Sequence, residues 1–292
     1  MDLSSQYKIM INGAVNAGVS YLMDNPSIKA LILGISGGVD SAVVAAVARK
    51  VCDVLLKEGR KVNLSGYSLK ILSNKIAEVE RASVVGRTYC NIFNEENLGE
   101  TFLRVLGGID PLLYIKYVES LGDGTLTNKE KIRMGNIKAR IRMTFLYNKA
   151  QEQEGLVLST DNLTEYYLGF WTLHGDVGDL GLIQELWKTE VFGMADVIGQ
   201  PVLRCANAIP TDGLGITNSD IDQLLPEWTP EMGDYKKAYN VVDDILIGYL
   251  NGTYSGPEDH PVIQRYEASK FKRTNPVNIK RDMLLWRHIP TV

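Results

Sequence analysis

Residues 30–51 read ALILGISGGVDSAVVAAVARKV, and the parsing of this stretch decides the fold. The segment ALILGI, residues 30 to 35, is a continuous apolar run without alternation, as expected of a parallel strand covered on both faces. From Val39 to about Lys57 the apolar positions take helical spacing, so a strand and a helix meet across Ser36-Gly37-Gly38. Glycines at that junction let backbone N–H groups turn toward an anion, and the start of the following helix adds its positive end. Ser36 and Ser41 can donate hydroxyl hydrogen bonds to phosphate oxygens. Asp40 has the wrong sign for an anion site unless a divalent cation lies between carboxylate and phosphate, and hard oxygen ligands suit Mg²⁺. Gly34, Ile35, Ser36, Gly37, Gly38, Val39, Asp40 and Ser41 are therefore candidate phosphate-binding residues, with Asp40 also a candidate metal ligand. The alternative is a strand-to-helix turn whose glycines serve tight packing. The chain contains no GxxxxGK[ST] and no GxGxxG, so neither of those phosphate loops applies.

Outward from this stretch, Leu3, Tyr7, Met10, Ala14, Gly18 and Tyr21 recur every three to four residues, which predicts an amphipathic helix before Asn25-Pro26. Lys61 to Leu69 reads as a second strand, and residues 73 to 87 as a helix. Residues 107 to 127, with GGIDP and LGDGT, read as a loop-rich connection. Asn128 can cap a helix running to about Gln153, and GLVLST, residues 155 to 160, supplies another short strand. Strands alternating with helices define an α/β class: a doubly wound, mostly parallel sheet with helices on both faces. One domain is expected over residues 1–292, with an N-terminal helix to residue 25, a core over about 28–200, and a lid with C-terminal helices over about 204–292. The lid follows from Pro210, Gly213, Gly215, Pro226, Pro230 and Gly233 and is expected to be mobile.

A net charge of -4 provides no positive field for a nucleic-acid backbone. With only 3 cysteines, widely spaced, a disulfide framework or zinc site is not expected, and a reducing cytoplasm fits. The opening MDLSSQYKIM lacks a signal-peptide pattern, and no apolar run approaches the roughly 20 residues of a membrane span, so no membrane association is expected.

SGGVDS resembles the pyrophosphate-binding loop of the N-type ATP pyrophosphatases, and six further segments narrow the resemblance. MGNIKARIRM, residues 134 to 143, resembles the RGNxxARxRM segment of NAD synthetases. LSTDNLTEYYLGFWTLHGDVGD, residues 158 to 179, is similar to their GTDxxE stretch with its TKxGDG continuation. ELWKTEV (185 to 191) falls where that family carries a lysine, and AIPTDGL (208 to 214) is similar to its APTADL. YNVVDDILIGYL is similar to its YDxIDDYL, and KFKRTNPV to its HKRxxP. The chain thus resembles the ammonia-dependent NAD synthetases.

The resemblance implies a Rossmann-like fold of the adenine nucleotide alpha hydrolase kind, and amidation of deamido-NAD by ammonia with ATP through an adenylated carboxylate. It assigns ATP to residues 34 to 41, Thr160, Lys188 and Thr211, and Mg²⁺ to Asp40 and Glu165. Deamido-NAD falls to Asn136, Arg140, Asp176, Asp179 and Lys272, and charge stabilisation during catalysis to Asp40 and Lys188. Read without it, Thr160 is equally a helix N-cap. Glu165 and Lys188 are then surface residues, and Asp176 and Asp179 are turn residues beside Gly175 and Gly178. Arg133, Asn136 and Arg140 share one helical face, able to meet an anion or merely solvated. The family's RGN arginine is Met134 here, its TKxGDG lysine is Leu173 and its HK histidine is Phe271, so ATP positions match better than substrate positions. A related amidoligase with another carboxylate, or a nucleotide-binding protein without turnover, are the alternatives. A glutaminase would need a nucleophilic cysteine and a further domain, so free ammonia, or ammonia from another protein, is the expected nitrogen donor. The resemblance also implies a homodimer with the deamido-NAD site at its interface, for which the N-terminal helix offers a surface.

Overall fold

In the computed structural model, which describes residues 2–120, 125–210, 219–228, 234–274, 276–280 and 283, the apolar run becomes β1 (Ala30–Gly34) and the helical repeat α2 (Val39–Lys57). The N-terminal helix α1 spans Leu3–Asp24. Then follow β2 (Asn63–Lys70), α3 (Ile76–Tyr89), β3 (Ile92–Asn97), α4 (Gly99–Ile109), α5 (Pro111–Glu119), α6 (Asn128–Glu152), β4 (Gly155–Ser159), α7 (Leu163–Leu168) and β5 (Leu180–Gly181). Beyond the sheet lie α8 (Lys188–Ile198), α9 (Val202–Ala206), α10 (Ile221–Leu224), α11 (Tyr235–Leu250) and α12 (Pro261–Ala268).

The strands pair in parallel in the order β3-β2-β1-β4-β5. The chain therefore winds outward from β1 through β2 and β3, then crosses to β4 on the other side. The carboxyl ends of β1 and β4 are neighbours at the point where the winding reverses, the usual ligand crevice of an open α/β sheet. Alternate residues of β1 feed two cores. Leu31 and Leu33 pack with α2 and α8, whereas Ala30 and Ile32 pack with α4, α5 and α6. Full burial of β1 on both faces explains why its sequence is apolar without alternation.

Three expectations need correction. Residues 107 to 119 are not loop: Asp110 ends α4 and caps α5, accepting the Leu113 N–H at 3.0 Å, while Pro111 takes the first helical position, where its missing N–H costs nothing. The cap of α6 is Thr127 rather than Asn128, in a reciprocal capping box with Glu130. In α1 the buried positions are Ile11, Val15, Gly18 and Leu22, against α2 and α8, and the anticipated Leu3 and Tyr21 are exposed. The buried stripe is rotated because one helix face serves two neighbours at once. Of the proposed lid, α9 and α10 are described, while Thr211, Gly213, Gly215, Pro230 and Gly233 lie outside the described residues. Among the described residues no helix is long and apolar enough to cross a membrane.

Candidate active site

The turn from β1 to α2 closes on itself through its own hydroxyls. Ser36 Oγ lies 3.1 Å from Ser41 Oγ, the Gly38 N–H donates to Ser36 Oγ at 3.2 Å, and Ser41 Oγ donates to the Gly38 carbonyl at 3.1 Å. Gly37 holds φ +84° with its carbonyl bound by Arg81 Nε at 2.8 Å. A Cβ on Gly37 would sit 2.2 Å from the Glu78 carbonyl oxygen, so the loop rests directly on the first turns of α3. Gly38 is the N-cap of α2 and supplies no side-chain cap, which leaves the helix's first N–H groups to a ligand.

Across the switch point, three segments far apart in sequence meet. Lys188 Nζ, on the first residue of α8, donates to Asp40 Oδ2 at 2.6 Å and to Glu165 Oε1 at 2.9 Å. Its side chain is 4% exposed, against 17% for Asp40 and 19% for Glu165, so the lysine is sealed and the carboxylates reach the cavity. Burial opposes the charge on Lys188, yet Asp40 and Glu165 overcome it and hold the ammonium well above its ordinary pKa. Burial pushes the Glu165 carboxyl up, Lys188 working against it and Asp40 with it. Asn162 fixes both acids: its Nδ2 donates to Asp40 Oδ1 at 2.9 Å, and its Oδ1 accepts the Glu165 N–H at 3.0 Å as the cap of α7. Asp40 and Glu165 place two hard oxygen ligands beside the loop, the ligand type a divalent cation such as Mg²⁺ takes.

Asp243, on α11, ties this cluster to the helices behind it. Its carboxylate accepts from Thr164 Oγ1 at 2.6 Å and from the Thr189 N–H at 3.0 Å, and Thr164 Oγ1 in turn accepts the Lys188 N–H at 2.9 Å. Asp243→Ala therefore strands buried partners around Lys188, and a loss of about 1–3 kcal/mol in unfolding free energy is expected from denaturant titration.

A cavity of about 620 Å³ joins these parts, lined by the loop, Thr160, Glu165 and Lys188 on one side and by Asn136, Arg140, Asp176 and Lys272 on the other. A second, more open cavity of about 790 Å³ shares Arg140, Asp161, Trp171 and Lys272 with it. Arg140 Nη2 donates to the Leu173 carbonyl at 3.0 Å, and Lys272 Nζ to the carbonyls of Gly169 and Trp171, each at 2.5 Å. Asp176 accepts the Thr172 N–H at 2.7 Å, and Thr172 Oγ1 donates to Asn136 Oδ1 at 2.8 Å. Asp179 lines neither cavity; its carboxylate accepts from Tyr147 at 2.8 Å and from the Val157 N–H at 3.0 Å, clamping the β4 edge. Arg133 is ion-paired with Asp110, away from the cavity. Burial lifts the Asp176 carboxyl to about 6, with the Thr172 N–H and Lys272 pulling it down. Because the folded protein holds this proton more tightly than the unfolded chain, its contribution is full below about pH 4 and is lost as pH rises through 6. Asp176→Asn should remove that slope, worth at most ~3 kcal/mol, from the stability of the ligand-free protein between those pH values, as read by thermal unfolding.

The sequence reading omitted Asp161, Asn162, Arg142 and Asp243. Asn162 was detectable as an Asn three residues before Glu165, the capping-box spacing. Asp243 stands out as an acid on the buried stripe of an otherwise amphipathic helix. Asp161, 9% exposed and bound to Ser159 Oγ at 2.9 Å, and Arg142, bound to Asn74 Oδ1 at 3.0 Å, stand inside segments already singled out.

An open parallel sheet with a glycine-turned loop and an acid–lysine–acid cluster at its switch point defines an α/β protein whose ligand crevice lies at that point. Comparison with known proteins places it further. The model of the NAD synthase family matches residues 11–85 and 112–276, and the chain belongs to that family. It is 33% identical over 261 residues to the NH(3)-dependent NAD(+) synthetase of Alkaliphilus oremlandii, covering 88% of this chain and 91% of that one. To the protein of the same name from Pyrococcus furiosus it is 33% identical over 279 residues, covering 91% and 94%. Among solved structures, the NMN synthetase of Francisella tularensis has a TM-score of 0.69 at 22% identity, covering 94% of this chain and 98% of that one. The NH3-dependent NAD synthetase of Campylobacter jejuni, in complex with nitrate, has 0.63 at 21%, covering 96% and 100%. At these identities the structural likeness is one of fold.

Proposed function

We propose that this protein amidates deamido-NAD with ammonia, using ATP and releasing AMP and pyrophosphate. The observation that carries this reading is the meeting of the Ser36–Ser41 loop with Asp40, Glu165 and Lys188 at the switch point of the sheet. The loop and Lys188 hold the triphosphate, and Thr160 and Thr211 complete the ATP site. Asn136, Arg140, Asp176 and Lys272 orient the acid substrate, with Asp179 bracing the β4 edge beside them. The nicotinate carboxylate oxygen bonds to the α-phosphorus, and the bond from that phosphorus to the α–β bridging oxygen breaks. Ammonia then bonds to the carbonyl carbon, the carbon–oxygen bond to AMP breaks, and a proton leaves the nitrogen. These residues contribute position and fixed charge, with no covalent intermediate on the protein. Asp40 and Glu165 would hold Mg²⁺, which supplies charge neutralisation to the phosphates when bound. The reading takes the chain as one working unit in a reducing cytoplasm, assembled as a homodimer that completes the acid site.

Purified protein given ATP, Mg²⁺, ammonium and deamido-NAD should form NAD, AMP and pyrophosphate in equal amounts. ADP in place of AMP would overturn the chemistry. Leu173, where the family carries a lysine, favours a second reading in which another carboxylate is amidated; AMP release with nicotinate mononucleotide but not with deamido-NAD would decide for it.

A further inference from the structure

Among the described residues, the 620 Å³ cavity is lined by the cations Arg81, Arg140, Arg142, Lys188, Arg265 and Lys272. Five of these have their terminal nitrogens bonded to protein groups in the ligand-free structure. Lys188 lies between two carboxylates, Arg140 holds the Leu173 carbonyl, and Lys272 holds those of Gly169 and Trp171. Arg142 holds the Leu69 carbonyl and Asn74, and Arg265 holds the Leu168 carbonyl and Gln223. Arg81 differs. Its Nε donates to the Gly37 carbonyl at 2.8 Å, and its terminal nitrogens are bonded to no described residue.

The backbone explains why this side chain is aimed at the loop. Gly37 lies on the Glu78 carbonyl, so the loop and the first turns of α3 are in direct contact, and Arg81 follows Glu78 by three residues on the same helix face. The Nε anchor turns the Gly37 carbonyl toward the guanidinium and away from any anion in the loop. It also fixes the plane of a group whose other edge carries paired N–H donors matched to phosphate oxygens. The neighbouring cation Arg204 is paired with Glu80 at 3.8 Å, so it does not compete for that position.

We propose that Arg81 binds the β and γ phosphates of ATP through its terminal nitrogens and stabilises pyrophosphate as it departs, while its Nε positions the Gly37 peptide. The inference rests on the reading of the Ser36–Ser41 loop as the diphosphate cradle. When the α-phosphorus bonds to the acid, the electron pair of the broken bond goes to the bridging oxygen of the leaving group, and Arg81 supplies a fixed positive charge to that product. Lys188 shares its charge with Asp40 and Glu165, whereas Arg81 adds a pair of N–H donors that no described residue engages.

The test uses the full chain with Arg81→Gln and Arg81→Lys, both checked for wild-type circular dichroism. Inhibition by magnesium pyrophosphate and by AMP is measured separately, together with calorimetric binding of pyrophosphate. Arg81→Gln should weaken pyrophosphate about 10- to 100-fold, the loss expected for charge-assisted bonds, with AMP affinity unchanged. Arg81→Lys, which keeps the charge without the planar pair of donors, should fall between. Pyrophosphate affinity equal to wild type in Arg81→Gln, or equal losses for AMP and pyrophosphate in both variants, would overturn the inference, the latter marking a purely structural role. Wild-type protein that binds neither pyrophosphate nor ATP would instead overturn the cradle reading, and the assignment with it.

Discussion

Lys188→Met is expected to lower turnover by about 100- to 1,000-fold, the loss that follows removal of one preorganised charge-stabilising group. The same substitution should destabilise the ligand-free protein, because it leaves the carboxylates of Asp40 and Glu165 facing each other without the cation that now bridges them at 2.6 and 2.9 Å. For a fully buried pair the loss of one partner costs about 3–5 kcal/mol. The two acids here keep partial contact with solvent, so the low end, about 3 kcal/mol, is the expected change. Its pH dependence identifies the cause. Lys188 pulls the Glu165 carboxyl down against burial, so without it that carboxyl rises further and takes a proton more readily. The destabilisation should therefore shrink as pH falls and grow as pH rises. Thermal unfolding of both proteins from pH 5 to 8, with and without Mg²⁺ and ATP, reads this directly. Turnover within a few-fold of wild type, or a stability loss independent of pH, would contradict the bridging role.

The part of the site that was legible in the sequence is the part built by adjacent residues. A strand buried on both faces must be apolar throughout, and a loop that turns at once into a helix needs its glycine where φ is positive, so residues 30 to 51 state their own structure. The pairing of Lys188 with Asp40 joins residues 148 apart and its pairing with Glu165 residues 23 apart, and no local periodicity encodes either distance. The resemblance of several ordered segments assigned Asp40, Glu165 and Lys188 to one ATP and metal site, but it did not state the bonds that join them. Strand β3 escaped for a different reason: IFNEEN is an edge strand exposed along most of its length, and its charges, which protect an open edge, remove the apolar signal by which strands are found. Helices α4 and α5 were hidden by Gly107, Gly108 and Pro111, which mark turns by default. Here two glycines are carried inside a helix, and the proline starts the next one. The side of the cavity around Asn136, Arg140 and Lys272 was least legible, since Asp179, expected beside them, serves Tyr147 and the β4 backbone, a use no motif distinguishes from a ligand contact.

Gly37→Ala should abolish nucleotide binding while leaving most of the fold in place, and a second glycine provides the control. Gly37 and Gly59 both hold a positive φ of similar size, +84° and +80°. A Cβ at either position carries the cost of a left-handed residue, about 1–2 kcal/mol. At Gly59, in the turn after α2, nothing lies within 4 Å of the added atom, so Gly59→Ala should lose only that amount and bind ATP as wild type does. At Gly37 the added atom would lie 2.2 Å from the Glu78 carbonyl oxygen and 3.2 Å from the Ala82 nitrogen, both backbone atoms of a helix with no rotamer to change. The loop must then lift off α3. That movement breaks the Arg81 bond to the Gly37 carbonyl and the hydroxyl contacts among Ser36, Gly38 and Ser41 that hold the N–H groups in place. Because α2 is anchored by the core on the other side of the loop, the helix persists and the cradle is lost. Calorimetric titration with ATP and Mg²⁺ should show binding at least about 100-fold weaker for Gly37→Ala, equivalent to two charge-assisted bonds, with Gly59→Ala unaffected. Equal affinities in the two variants would mean that the positive φ alone, and not the seating of the loop on α3, shapes the phosphate site.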